Sequence, residues 1–167
     1  GQDLLDVSTF LHTLCVLLFH SPTTYNSDAG TERDTMMKRV MGLYKDSLTL
    51  RQAVVGDERG TIQVATTLNN IGRVHYLRGE SDKALKCYQI ALGMRRHLLG
   101  SAHIDVAATV CNLGQTYQQK GELVRAMALY QEFLQISQHR LGEGNRDVAI
   151  MMKCVAQIYH NRGDCKS

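Results

Sequence analysis

Proline is almost missing from this chain, and tryptophan is missing altogether. One proline, Pro22, stands among 167 residues that include 14 glycines. Proline removes an amide donor and breaks helix interiors, so its scarcity leaves room for long, uninterrupted helices. Paired cysteines are lacking too. Cys15, Cys87, Cys111, Cys154 and Cys165 make an odd total and form no C-x-x-C. That excludes a small secreted disulfide scaffold and the usual zinc or redox pair. No N-x-S/T sequence occurs, and an intracellular, cytoplasmic setting is expected from this cysteine usage.

An excess of one charge is also absent. Lys and Arg number 19, Asp and Glu 16, for a net charge of +3, and the two signs are interspersed. A nucleic-acid binder concentrates its basic residues on one face, so no nucleic-acid partner is expected. Nor is there a long apolar run. The most apolar stretch, Thr9 to Phe19, is about half of what a bilayer requires. It follows Asp3 and Asp6 rather than a basic segment, so neither a membrane span nor a signal peptide is expected. What remains, 44% hydrophobic and 21% charged, is ordinary globular composition.

Within that ordinary composition the chain repeats itself. TIQVATTLNNIGRVHYLRG begins at Thr61, GSAHIDVAATVCNLGQTYQQKG at Gly100 and NRDVAIMMKCVAQIYHNRG at Asn145. Val64-Ala65, Val106-Ala107 and Val148-Ala149 are 42 residues apart, as are Gly72, Gly114 and Ala156, and Gly79, Gly121 and Gly163. Ala84 with Ala126, Tyr88 with Tyr130 and Leu99-Gly100 with Leu141-Gly142 keep the same step. A fixed period of this size signals stacked structural units.

Each unit reads as a helical hairpin. Val106, Val110, Leu113 and Tyr117 mark one helix face, which Gly121 closes. Leu123, Ala126, Met127, Tyr130, Phe133, Leu134 and Leu141 mark a second helix, closed by Gly142. One hairpin cannot bury its apolar stripe alone, whereas a stack of them can. Gly72, Gly114 and Ala156 are mid-helix small residues that admit close approach of the partner helix, and Tyr88 and Tyr130 are expected to fill space between adjacent hairpins. The register extends to the N-terminus: Leu11, Leu14, Cys15 and Leu18 fall on Val110, Leu113, Gly114 and Tyr117. The second helix of that first unit is predicted over Met36 to Gly56, after a loop over 21–31 rich in turn formers. The expected fold is all-α, a right-handed solenoid of antiparallel hairpins with seven helices in one domain over 1–167. Its units are 3–57 with the 21–31 loop, 61–100, 103–142, and a half-unit over 145–163.

Val110-x-x-Leu113-Gly114-x-x-Tyr117, followed by Gly121, Ala126 and Tyr130, resembles the tetratricopeptide repeat. The period of 42 is longer than the usual figure of about 34. With the LG-x-x-x-x-DVA-x-T-x-x-NLG-x-x-Y pattern, the chain is most similar to the kinesin light chain subgroup, although Ile104 stands where that subgroup has proline. The resemblance implies a protein-binding scaffold or adaptor rather than an enzyme, with a concave groove lined by the first helix of each hairpin. Carried over by register, the groove residues are Thr9, His12, Val16 and Phe19, then Thr66, Asn69, Arg73 and Tyr76. Next come Ala108, Cys111, Gln115 and Gln118, and then Ile150, Lys153, Gln157 and His160, with Asn70 and Asn112 at the edge. Amide side chains both donate to and accept from an extended peptide backbone, and Arg73 and Lys153 add positive charge. An extended, somewhat acidic peptide or a partner helix is the expected ligand. The Lys, Asn, Asn, Lys, Arg set with which some tetratricopeptide domains clamp chaperone tails is not reproduced in either register, so that binding is not expected.

Other signals read as architecture. His97 and His139 are one period apart and lack metal-ligand spacing, so surface positions and no metal are expected. GEGNRD, from Gly142, lies between helices with no strand before it and is no nucleotide loop, and no cofactor is expected. Arg162-Gly163-Asp164 contains the turn glycine of the repeat. On the last helix, Val148, Met151, Met152, Val155 and Tyr159 form an apolar stripe without a following helix. Solenoid ends need a polar cap, so either the chain continues or this stripe meets another chain, with a homodimer as one expectation. The alternative function is thus a structural or regulatory assembly domain of a larger complex or enzyme, oligomerising through its exposed end helix.

Overall fold

The computed structural model describes residues 30–55, 61–141 and Met152. All regular structure among them is helical: α1 (Gly30–Val55), α2 (Ile62–Leu77), α3 (Ser81–Leu99), α4 (Ile104–Gln119) and α5 (Leu123–Leu141). The first and last of the seven expected helices lie outside the described residues, Met152 apart, which is helical. Helix α1 starts at Gly30, six residues before Met36, so the last two residues of the expected 21–31 loop are helical. Near the start of the helix Asp34 is paired one turn on with Lys38 at 2.6 Å. The chain divides into two compact units, Gly1–Met94 and Arg95–Ser167.

In the first unit α1 packs against α2. Met37, Val40, Met41 and Tyr44 of α1 step by three, one and three, and all are buried with Ile71 and Val74 of α2. Met36, Leu43, Leu48, Leu77 and Cys87 close around them. In the second unit α4 packs against α5, with Val106, Ala107, Val110 and Leu113 buried on α4 and Ala126, Met127, Tyr130, Phe133 and Ile136 on α5.

The turn inside each hairpin is the same object written twice. Gly79 and Gly121 have φ of 74° and 77°, a left-handed backbone that a side chain resists. The Gly79 amide donates to Tyr76 at 3.0 Å and the Glu80 amide to His75 at 2.9 Å. In the second hairpin Gly121 donates to Gln118 and Glu122 to Tyr117, each at 2.9 Å. This is the Schellman arrangement, which satisfies carbonyls that the helix end leaves open.

The mid-helix glycines answer to an aromatic ring. A Cβ built on Gly72 would lie 2.8 Å from Cε1 of Tyr88, and one on Gly114 would lie 2.5 Å from Cε1 of Tyr130. Both tyrosines are 1% exposed. Each ring lies over the glycine of its own hairpin, because deleting one Cβ there opens a slot as wide as a ring edge.

Candidate functional site

The residues singled out for peptide binding fall on the sides of α2 and α4 left over from the core. Helix α2 buries Val64, Ala65, Thr67, Ile71, Gly72 and Val74. Asn69, Asn70, Arg73 and Tyr76 are half-buried on the same helix. Thr66, also half-buried, turns its hydroxyl back to the Ile62 carbonyl at 2.8 Å. Helix α4 buries Val106, Ala107, Thr109, Val110, Leu113, Gly114 and Thr116. Cys111 and Asn112 are half-buried, and Ala108, Gln115 and Gln118 are exposed. Two sets of four are thus each gathered on one helix: Asn69, Asn70, Arg73 and Tyr76 in the first unit, Cys111, Asn112, Gln115 and Gln118 in the second. Lys153 and Gln157 lie outside the described residues.

One of these side chains is held from below. The Tyr130 hydroxyl donates to Oε1 of Gln118 at 2.7 Å, from a ring seated on Gly114. At the same positions of the other hairpin stand Tyr88 and Tyr76. Nearby, the Arg125 guanidinium lies over the Tyr117 ring, 5.5 Å from its centre, a contact of the cation–π kind.

Charge collects at the hairpin turns, which the reading by apolar period did not reveal. Glu80 follows the turn glycine and accepts from Lys83 Nζ at 3.0 Å through Oε2. His75 Nδ1 is 2.7 Å from the same oxygen, and Arg78 Nη2 is 3.3 Å from Oε1. The bonds from Lys83 and then His75 hold the Glu80 carboxyl below its ordinary value. Asp34, reached by Arg78 at 3.7 Å, is also held low, first by its bond to Lys38. One period later Glu122 pairs with Arg125 at 2.6 Å and Lys120 at 3.6 Å. A Gly-Glu pair with a base two residues before and three after was the available signal.

Arg95 was missed outright, since Ser137 stands at its position one period later. It is 5% exposed. Its Nη1 donates to the Asp105 carbonyl at 2.8 Å and to the Thr109 hydroxyl at 2.7 Å. Thr109 in turn donates to the same carbonyl at 3.0 Å. Burial pushes the guanidinium pKa down and the nearby Asp105 charge opposes this. Its neighbour Arg96 pairs with Glu132 on α5. Two adjacent arginines thus tie the last turn of α3 to α4 and α5. His103 was noticed only as one of seven histidines. It caps α4, its Nδ1 accepting from the Asp105 amide at 3.1 Å, at the position where Thr61 caps α2.

His97 and His139 are exposed, as expected. Burial raises the pKa of the half-buried Cys87 thiol, which works against thiolate chemistry. Among the described residues, no cluster of His, Cys, Asp and Glu is fit to hold a metal ion, and no helix is long and apolar enough to cross a membrane.

The family model of the tetratricopeptide repeat matches residues 63–139. Among solved structures, the chain is similar to BtubC (BKLC) from P. vanneervenii, with a TM-score of 0.68 and 19% identity over 96% of this chain and 66% of that one. It therefore spans just under two thirds of that protein's length. It is also similar to a kinesin light chain-like protein of Podosopora anserina with nearly identical TPR-like repeats. There the TM-score is 0.61 and the identity 13%, over 97% of this chain and 80% of that one. At these identities the likeness is one of fold. No curated protein sequence matches the chain.

Proposed function

From a chain whose residues 63–139 carry tetratricopeptide repeats, we propose an intracellular protein-interaction module, not an enzyme, that holds an extended acidic peptide on the first-helix faces of its hairpins. Tetratricopeptide repeats mediate protein–protein interaction, so the coarse assignment follows from the family match. The finer one rests on a single observation. On α2 and on α4 the side turned away from the core carries amides, half-buried at Asn69, Asn70 and Asn112 and exposed at Gln115 and Gln118, and on α2 it adds the half-buried Arg73. Amides bond to a peptide backbone in either direction, and Arg73 favours a carboxylate. By the repeat register Lys153 and Gln157 extend the same face.

The test is a random-peptide display selection on the purified chain, repeated with Asn69→Ala/Arg73→Glu. A shared acidic motif that the double variant loses is the expected result. Enrichment indifferent to the variant, or no enrichment, refutes the assignment. Met152 favours a second reading. It is helical and 44% exposed, and by the apolar spacing of the sequence it would share a stripe with Val148, Met151, Val155 and Tyr159. Under that reading the domain assembles with a second copy or a larger complex through its end helix. Sedimentation at rising concentration tests it, and a monomer throughout counts against the homodimer.

A further inference from the structure

We infer that Tyr130 is a positioning residue for partner selection: it holds Gln118 so that α4 presents a hydrogen-bond donor to an acceptor on the bound peptide. This rests on the peptide-binding reading proposed above. Two contacts and one exposed side chain carry it. Gly114 lacks the Cβ that would strike the ring, so Tyr130 enters to 1% exposure beneath α4. From there its hydroxyl, which has one proton to give, donates to Oε1 of Gln118 at 2.7 Å. Gln118 is exposed, so the occupied oxygen leaves the other arm of the planar amide, the NH2 group, for the outer side. A free glutamine offers a donor and an acceptor and turns to suit its partner. In Gln118 the bond from Tyr130 fixes which way the amide faces and so favours donation to the outer side. Gln115, one turn earlier and exposed, adds a second amide on the same helix.

Of the two hairpins fully described, the second carries this arrangement. Its first-hairpin counterpart has a hydroxyl, Tyr76, in place of the amide. The two hairpins therefore read different things, and α4 asks for an acceptor, either a main-chain carbonyl or a side-chain carboxylate of the peptide.

The experiment uses the full chain and a synthetic, fluorescently labelled copy of the peptide recovered in the display selection. Its affinity is measured for wild type, Arg73→Glu, Tyr130→Phe, Gln118→Ala and Gln118→Glu. Tyr130→Phe keeps the ring and removes only the hydroxyl, and a circular dichroism melt confirms that it folds. The expected result is a roughly tenfold loss for Gln118→Ala, the size of one hydrogen bond. A partial loss of about threefold is expected for Tyr130→Phe. Gln118→Glu should lose at least as much as the alanine variant, because it has the same shape and no donor. In Tyr130→Phe the side-chain amide resonance of Gln118 should also shift or broaden, which a purely structural tyrosine would not cause.

Alanine replacement of each Asp and Glu of the peptide separates the two acceptors. If one replacement abolishes the effect of Gln118→Ala, the acceptor is that carboxylate. If none does, it is a main-chain carbonyl. Wild-type affinity in Gln118→Glu, or in Tyr130→Phe with an unchanged Gln118 resonance, overturns the inference while an effect of Arg73→Glu leaves the peptide-binding reading standing. No enriched peptide, or no effect of Arg73→Glu together with none at Gln118, overturns both.

Discussion

Replacing Gly114 by alanine sets two effects of known sign against each other. In an exposed helix interior, glycine to alanine gains up to about 1 kcal/mol of propensity. At Gly114 the new methyl would sit 2.5 Å from Cε1 and 2.8 Å from Cδ1 of Tyr130, well inside contact distance. The ring has little room to move. It is 1% exposed, rigid, and tied at its hydroxyl to Gln118. Overpacking of this kind costs about 1–3 kcal/mol, so the net expectation is a loss of about 0.5–2 kcal/mol, or a Tm lower by a few degrees. Gly93 supplies the control. It lies exposed within α3, and a Cβ there meets nothing within 4 Å. Gly93→Ala should therefore raise stability by about 0.5–1 kcal/mol. Urea unfolding at fixed pH measures both. A Tyr130→Leu background should shrink the Gly114→Ala cost, because the two sites share the clash. If Gly114→Ala stabilises the chain as Gly93→Ala does, the ring-in-slot account is wrong.

Three further outcomes follow from the same structure. Arg95→Lys should cost about 2–3 kcal/mol in urea unfolding and Arg95→Met less. Lysine leaves a poorly paired charge in a buried site, whereas methionine leaves Thr109 and the Asp105 carbonyl bonded to each other; the reverse ranking refutes this. His103→Ser should stabilise α4 by about 0.5 kcal/mol, since serine is the better N-cap, and a lower Tm would show that the imidazole does more than cap. Glu80 has a folded pKa below its ordinary 4.5, so the unfolded chain binds the proton more readily. Its contribution is present above that ordinary value and fades as pH falls through the folded one. Glu80→Gln should therefore flatten the fall in stability below about pH 4.5, and an unchanged slope would remove Glu80 from the acid response.

The 42-residue step determined where helices end, because a turn glycine at positive φ and an apolar face at helical spacing are local properties of the chain. Gly79 and Gly121 close α2 and α4 as their spacing implied; of the residues the periodicity marked, Val106, Val110 and Leu113 of α4 and Ala126, Met127, Tyr130 and Phe133 of α5 are buried, whereas Tyr117, Leu123 and Leu134 are half-buried. Local pattern also sorted Asn69, Asn70, Arg73 and Tyr76, and Cys111, Asn112, Gln115 and Gln118, onto single helices. What each side chain touches was a tertiary matter. Tyr130 packs onto Gly114, since the missing Cβ and the ring edge match only once α4 and α5 are packed. Arg95 looked like any charged residue near a helix end. It is buried because the last turn of α3 runs beside α4, where a main-chain carbonyl and a hydroxyl await it. Gln118 was legible as a surface amide, but its direction was set by a hydroxyl twelve residues away. Periodicity is carried along the chain, whereas the partner of a polar atom depends on distances across it, and only packing makes those short.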